Sequence, residues 1–171
     1  MKLYLSDIIG IPIISHHTEQ KIGKVAGSIF DPETGKLLAL NLRPDAQKII
    51  TAADIMHVYR TEVTVMDDNS ISPLDEVLRV KVVYNSGIRF LGNRVHTEHN
   101  DYLGKVIDIQ IDTVGLFLSS LVIAKSFLVF TGDKRIVSKK DIIEVNKDKI
   151  IVKKSSLLKK EKVKEFVNAP I

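Results

Sequence analysis

One stretch of this chain occurs twice. Ile22-Gly23-Lys24-Val25 returns as Leu103-Gly104-Lys105-Val106, 81 residues later, and Val25 to Asp31 lies over Val106 to Asp112 at the same spacing. Upstream, Gly10 lies over Gly92 at a spacing of 82, and downstream Ile50 to Ile55 lies over Val137 to Ile142 at 87, so small insertions account for the drift. Two copies of one small unit explain the 171 residues better than a single large core does. The expected division is a first repeat over residues 1–68, a linker over 69–87, a second repeat over 88–154 and a basic helix or tail over 155–171.

With 44% hydrophobic and 27% charged residues, the composition is that of a chain that folds, far from the polar regime of disorder. The longest apolar run, Val114 to Ala124, carries Ser119 and Ser120 and stops at Lys125. It falls short of the ~18 residues that a membrane-spanning helix needs. The opening Met-Lys-Leu-Tyr-Leu-Ser-Asp has no apolar region of the kind an export signal uses, so a cytoplasmic location is expected. Zero Cys removes disulfides, thiolate nucleophiles and thiolate metal sites.

Within each copy the signals are those of short strands. Val106, Asp108, Gln110 and Asp112 alternate with Ile107, Ile109 and Ile111, which predicts a half-buried strand with the three isoleucines on one face. Asp31-Pro32-Glu33-Thr34-Gly35 has the Pro and Gly of a turn and predicts a hairpin between Gly23–Asp31 and Lys36–Leu42; Asp112 to Gly115 turns the second copy. Short runs at 48–51, 57–60, 62–66, 135–138, 143–145 and 149–152 fall at the spacing of a small sandwich or barrel. Thr51 to Asp54 and Ser138 to Asp141 carry the hydroxyl and acid of a capping box and predict single helical turns. Ser72 before Pro73, with Asp75 and Glu76 following, predicts a linker helix in which Ile71, Leu74, Leu78 and Val82 share a face and Leu74 and Leu78 pack.

These features in this order resemble a tandem pair of PRC-barrel domains, the small β-barrel of the photosynthetic reaction centre H subunit and of the C-terminal domain of a bacterial ribosome maturation factor. The residues that carry the likeness are Gly10-Ile11, Ile22 to Val25, Asp31 to Gly35 and Thr51 to Ile55, with Gly92, Leu103 to Val106, Asp112 to Gly115 and Ser138 to Ile142 in the second copy. The resemblance implies an all-β fold of two small antiparallel β-barrels in tandem, of about six strands each, with a short linker helix and a short C-terminal helix or tail. It implies no single activity, because a fold does not dictate function.

Catalysis has no support in the sequence. No Gly-x-Ser-x-Gly elbow and no glycine-rich phosphate loop is present, and the acid pairs Asp67/Asp68 and Asp75/Glu76 fall in a loop and at a helix start. His16 and His17 precede Gly23 as His96 and His99 precede Gly104, and two His with an acid can hold a divalent metal. But His96-Thr97-Glu98-His99 is not the strong His-Glu-x-x-His motif and a loop does not fix the geometry a helix would, so neither a metal nor another cofactor is expected. These loops, with His16, His17, Glu19, Gln20, His96, Glu98, His99 and Asp101, are instead candidate partner contacts around a groove between the copies. From Lys134 to Glu165 twelve basic residues face five acidic ones. Lys139, Lys140, Lys153, Lys154, Lys159 and Lys160 therefore form a candidate face for an anionic partner, whether RNA, an acidic protein or an anionic membrane surface. No aromatic side chain lies in that stretch to stack on bases. The expected function is a non-enzymatic protein-binding adaptor; an RNA-associated or ribosome-assembly factor is the alternative, and a metal-binding or enzymatic use of the histidine loops the third reading.

Overall fold

The computed structural model describes residues 1–125 and 134–155, so the C-terminal helix or tail, with Lys159 and Lys160, lies outside the described residues. The chain opens with β1 (Lys2–Tyr4) and a one-turn helix α1 (Leu5–Ile8). The first unit follows as β2 (Pro12–Ser15), β3 (Lys21–Phe30), β4 (Leu37–Arg43), β5 (Lys48–Thr51), β6 (Ile55–Val58), β7 (Val63–Val65) and β8 (Ile71–Pro73). Helix α2 (Leu78–Ser86) leads to the second unit, β9 (Arg94–Thr97), β10 (Tyr102–Asp112), β11 (Phe117–Ala124), β12 (Arg135–Ser138), β13 (Ile142–Val145) and β14 (Lys149–Val152). The fold is all-β with two barrel-like units in tandem, each a curled seven-stranded sheet.

The duplication extends to the hydrogen-bond register. In the first unit Val25 faces Leu42, Gly27 faces Asn41, Ile29 faces Ala39 and Phe30 faces Leu37. In the second, Val106 faces Ile123, Asp108 faces Val122, Gln110 faces Ser120 and Ile111 faces Leu118, each pair displaced by the same 81 residues. Both sheets skip one residue, Ala26 and Ile107, at a β-bulge between the first two pairs, and both shift again before the last pair. The strand pairing is antiparallel except for one parallel pair in each unit, β2 with β7 and β9 with β14, where a uniformly antiparallel barrel was expected.

The bulge corrects the expected strand face. Across it the alternation loses phase: Val106, Ile109 and Ile111 are buried, whereas Ile107 is half-buried and turned out of the core. The two helical turns are present as 3-10 turns at Ala52–Asp54 and Lys139–Asp141, but without capping boxes. At the first, Thr51 Oγ1 donates to the Asp54 carboxylate at 2.6 Å, so side chain meets side chain in place of side chain meeting backbone.

The linker also differs from expectation. Ile71–Pro73 forms β8, which pairs with β5 through Lys48↔Pro73, Ile49↔Ser72 and Ile50↔Ile71. An edge strand needing partners outweighs a helix start, and Pro is tolerated on an edge strand. Leu74 is buried in the turn that follows, but the helix starts only at Leu78, which is 74% exposed, as Val82 is 60% exposed. The helix instead buries Val80, with Val77, Val83 and Tyr84 beside it, against Ile29, Ala39 and Ile49. Arg79 closes the arrangement with an ion pair to Asp31 at 2.5 Å.

The two units meet at equivalent positions. Lys36 and Phe117, 81 residues apart, form an antiparallel bridge with each other. On either side Leu37 N–H donates to Leu116 C=O and Leu118 N–H donates to Gly35 C=O, both at 2.8 Å. An approximate two-fold axis therefore passes through this bridge, as in an isologous dimer. Gly35 and Leu116, related by it, share the left-handed conformation at φ 74° and 50°. Arms cross the axis as well: β1 pairs with β10 through Leu3↔Ile111, and Phe90 of the second unit sets its ring edge-on to Phe30 of the first at 6.2 Å. One buried cluster runs through both units, from Leu3 and Val25 to Ile109 and Val152.

Two outcomes follow. Ile109→Asp places an unpaired carboxylate in this core, at a cost of several kcal/mol that is comparable with the stability of a small domain, and abolishes the cooperative thermal transition; Ile107→Asp retains it, as circular dichroism melts would record. Burial of Asp31 opposes its ionisation, but Arg79 and the N–H groups of Thr34 and Glu33 outweigh it and hold the carboxyl below its ordinary 3.8. A lowered carboxyl contributes stability that is full above the ordinary value and is lost as pH falls through the folded one. Urea midpoints of Asp31→Asn and wild type should therefore differ at neutral pH and converge in acid below that value.

Candidate functional site

The bulged segments of the two copies face each other. Ala26, Gly27 and Ser28 from β3 and Ile107, Asp108 and Ile109 from β10 form two sides of a cleft of about 730 Å³ between the units. Leu5, Ser6 and Ile9 close it from the N-terminal arm, Val83 and Tyr84 from α2, and Ile88 to Leu91 from the segment after that helix. Its size falls within the range of small-molecule sites, and its walls are mostly aliphatic and aromatic with a few polar groups, as such sites are. The groove expected between the copies is thus present, and it is built by the strand irregularities that the duplication repeats.

The polar groups in the cleft are unequal across the axis. On one side Ser6 Oγ donates to Asp108 at 2.5 Å and Ser6 N–H adds a bond at 3.2 Å, so that carboxylate is engaged within the fold. On the other side the equivalents of Asp108 and Ser6 are Gly27 and Ile88. A Cβ at Gly27 would meet only Asn41 Oδ1, at 3.5 Å. Asn41 is buried and donates through Nδ2 to Ala46 C=O at 2.9 Å, which leaves Oδ1 turned to the vacant side. Arg89 lies over the Tyr84 ring, 5.8 Å from its centroid, at the lip of the cleft.

The histidine loops lie elsewhere. Residues 16–20 and 98–101 are the β2–β3 and β9–β10 turns, and none of them lines the cleft. His16, His17, Glu19 and Gln20 are exposed, and Thr18 ties its turn to Asp68 at 2.8 Å. In the second turn Glu98 accepts from Lys154 N–H at 3.2 Å, Asp101 accepts from Thr97 Oγ1, and His99 is exposed. His96 sits on β9 with its ring against Tyr102, and its Nδ1 is buried without a hydrogen-bond partner among the described residues. No three His, Asp or Glu side chains among the described residues converge in a way that could hold a metal ion. Of the lysine face, Lys139 folds over the Gly35 turn and donates to Glu33 C=O at 3.3 Å, while Lys140, Lys153 and Lys154 are exposed.

Sequence reasoning did not identify Gly27, Asn41, Tyr84, Arg89 or Asp108 as site residues. The available signal was the repeat itself: where two aligned copies differ sharply in size, as at Gly27 and Asp108, the difference leaves space. Compared with known proteins, the chain matches no family model and no curated sequence.

The two bulge-region glycines make opposite demands. Gly27 has an ordinary φ and room for a side chain, so Gly27→Ala should raise stability by about 0.4–1 kcal/mol through the unfolded chain. Gly104 has φ +133°, and a Cβ there would lie 2.3 Å from Ala124 O, so Gly104→Ala should lose more than about 1 kcal/mol. Denaturant titrations of the two variants provide the measurement.

Proposed function

We propose that the protein is a non-enzymatic adaptor built from two PRC-barrel-like units, and that the cleft between the units is its recognition site. The observation that carries this reading is the convergence of Ala26 to Ser28 and Ile107 to Ile109 on one apolar hollow. Strand bulges re-aim side chains and leave backbone groups outside the ladder, which is what a recognition surface uses. The fixed geometry of the units favours the same reading. The Lys36–Phe117 bridge, the crossing N-terminal arm and the shared core hold the two walls at a set separation, so a partner meets a preformed site and loses less free energy to ordering. A binding role also agrees with the chemistry of the walls, where Asp108 is engaged by Ser6 and no second carboxylate among the described residues lines the cleft. The cytoplasmic location belongs to this proposal.

Native-extract capture at two salt concentrations, with wild type and the cleft-filling variant Gly27→Leu side by side, tests the reading. The expected result is a partner that persists at the higher salt and is lost with Gly27→Leu. Retention of every captured protein by Gly27→Leu would move recognition off the cleft, and a salt-labile set that includes RNA would favour the lysine face.

A further inference from the structure

A second hollow adjoins the cleft and has the opposite character. It measures about 420 Å³, is lined by Gly87, Arg89, Leu91, Gly92, Asn93, Arg94, Lys105, Lys147 and Asp148, and shares Arg89 and Leu91 with the cleft. Four cations thus surround it against one carboxylate, and none of the four forms an ion pair with a described residue. The strand register sets two of them directly opposite each other: Arg94 faces Lys105 on β10, and on its other side faces Lys149 of β14, which stands outside the lining of the hollow. Like charges directly opposite each other destabilise a sheet. The first unit has Pro12 and Glu62 in the places of Arg94 and Lys149. It also sets Lys24 opposite Arg43, but the hollow beside that pair shares no residue with the cleft.

Resting on the reading of the cleft as the recognition site, we propose that cleft and cationic hollow form one site for a soluble single-chain amphiphile with a phosphate head. The head sits among Arg89, Arg94, Lys105 and Lys147, where its charge relieves the row of cations and its oxygens accept charge-assisted hydrogen bonds. The apolar chain runs past Leu91 into the cleft, toward the space that Gly27 leaves beside Asn41. Four cations against one acid suit a dianion better than a carboxylate. An inorganic anion would leave the apolar chamber unfilled, and a plain hydrocarbon would leave the cations unmatched.

Calorimetry on the full chain with dodecyl phosphate, dodecanol and inorganic phosphate, below the micellar range, tests the site. The expected outcome is one-to-one binding of dodecyl phosphate, roughly tenfold to hundredfold tighter than either of the others. Arg94→Gln combined with Lys105→Gln should reduce dodecyl phosphate to the level of dodecanol, leave dodecanol unchanged, and raise the melting temperature of the ligand-free protein. Gly27→Leu, and Ile107→Trp on the opposite wall, should each abolish binding of both chain compounds. Dodecyl phosphate binding no better than dodecanol, or binding that both cleft variants leave intact, overturns the proposal. Binding to phosphatidate vesicles with none to soluble dodecyl phosphate also overturns it, in favour of a membrane surface. If dodecyl phosphate fails while partner capture still depends on Gly27, the adaptor reading stands and this one falls; dodecyl phosphate binding with capture indifferent to Gly27→Leu gives the reverse.

Discussion

Two backbone hydrogen bonds, Leu37 to Leu116 and Leu118 to Gly35, hold the starts of β4 and β11 together around the point that relates the two copies. Both strands lie inside their sheets, β4 between β3 and β5 and β11 between β10 and β12. Fixing one end of each therefore fixes the neighbouring β3 and β10, and with them the bulges that face one another across the cleft. The left-handed turn residues Gly35 and Leu116 lead the chain into this contact. Asp31 and Asp112 brace the turns, each accepting from two successive backbone N–H groups. The electrostatics agree with that role: both carboxyls are held below their ordinary value, Asp112 chiefly by the N–H groups of Gly115 and Val114 and Asp31 against its own burial.

Much of this was legible in the sequence because repetition adds weight to weak signals. A hairpin at Asp31 or a turn at Thr51 is a modest inference alone, and each gained force from its counterpart at Asp112 or Ser138. The strands at 48–51, 135–138 and 149–152 match the observed elements to the residue. What stayed hidden depends on partners distant in the chain. Pro73 reads locally as a helix start, and only the open edge of β5 makes it part of a strand. Ile107 reads as the first of three inward isoleucines, and only its pairing with β11 shows that the ladder passes over it. Leu78 has the spacing of a packing residue, but the helix turns Val80 inward because Ile29, Ala39 and Ile49 lie on that side.

The site was legible as a region and not as residues. A groove between duplicated units follows from the repeat, whereas the residues that line it come from bulges and from the segment after α2, neither of which carries a motif. Arg94 and Lys105 belong to the same class of hidden feature. Both lie outside the basic stretch from Lys134 to Glu165, and their opposition appears only once β9 and β10 are in register.

Gly27 and Asp108 are one position of the repeat occupied by two different residues. In an assembly of two identical chains that could not happen, since any substitution at the position would appear on both sides of the axis. Covalent linkage lifts that restriction. One copy can keep the acid that anchors Ser6 while the other gives up its side chain altogether, and a cavity that symmetry would have filled or emptied in pairs becomes open on one side only. A direction is thereby written into a nearly symmetric frame: whatever enters the cleft meets two walls of different chemistry, and so has one orientation in which it fits.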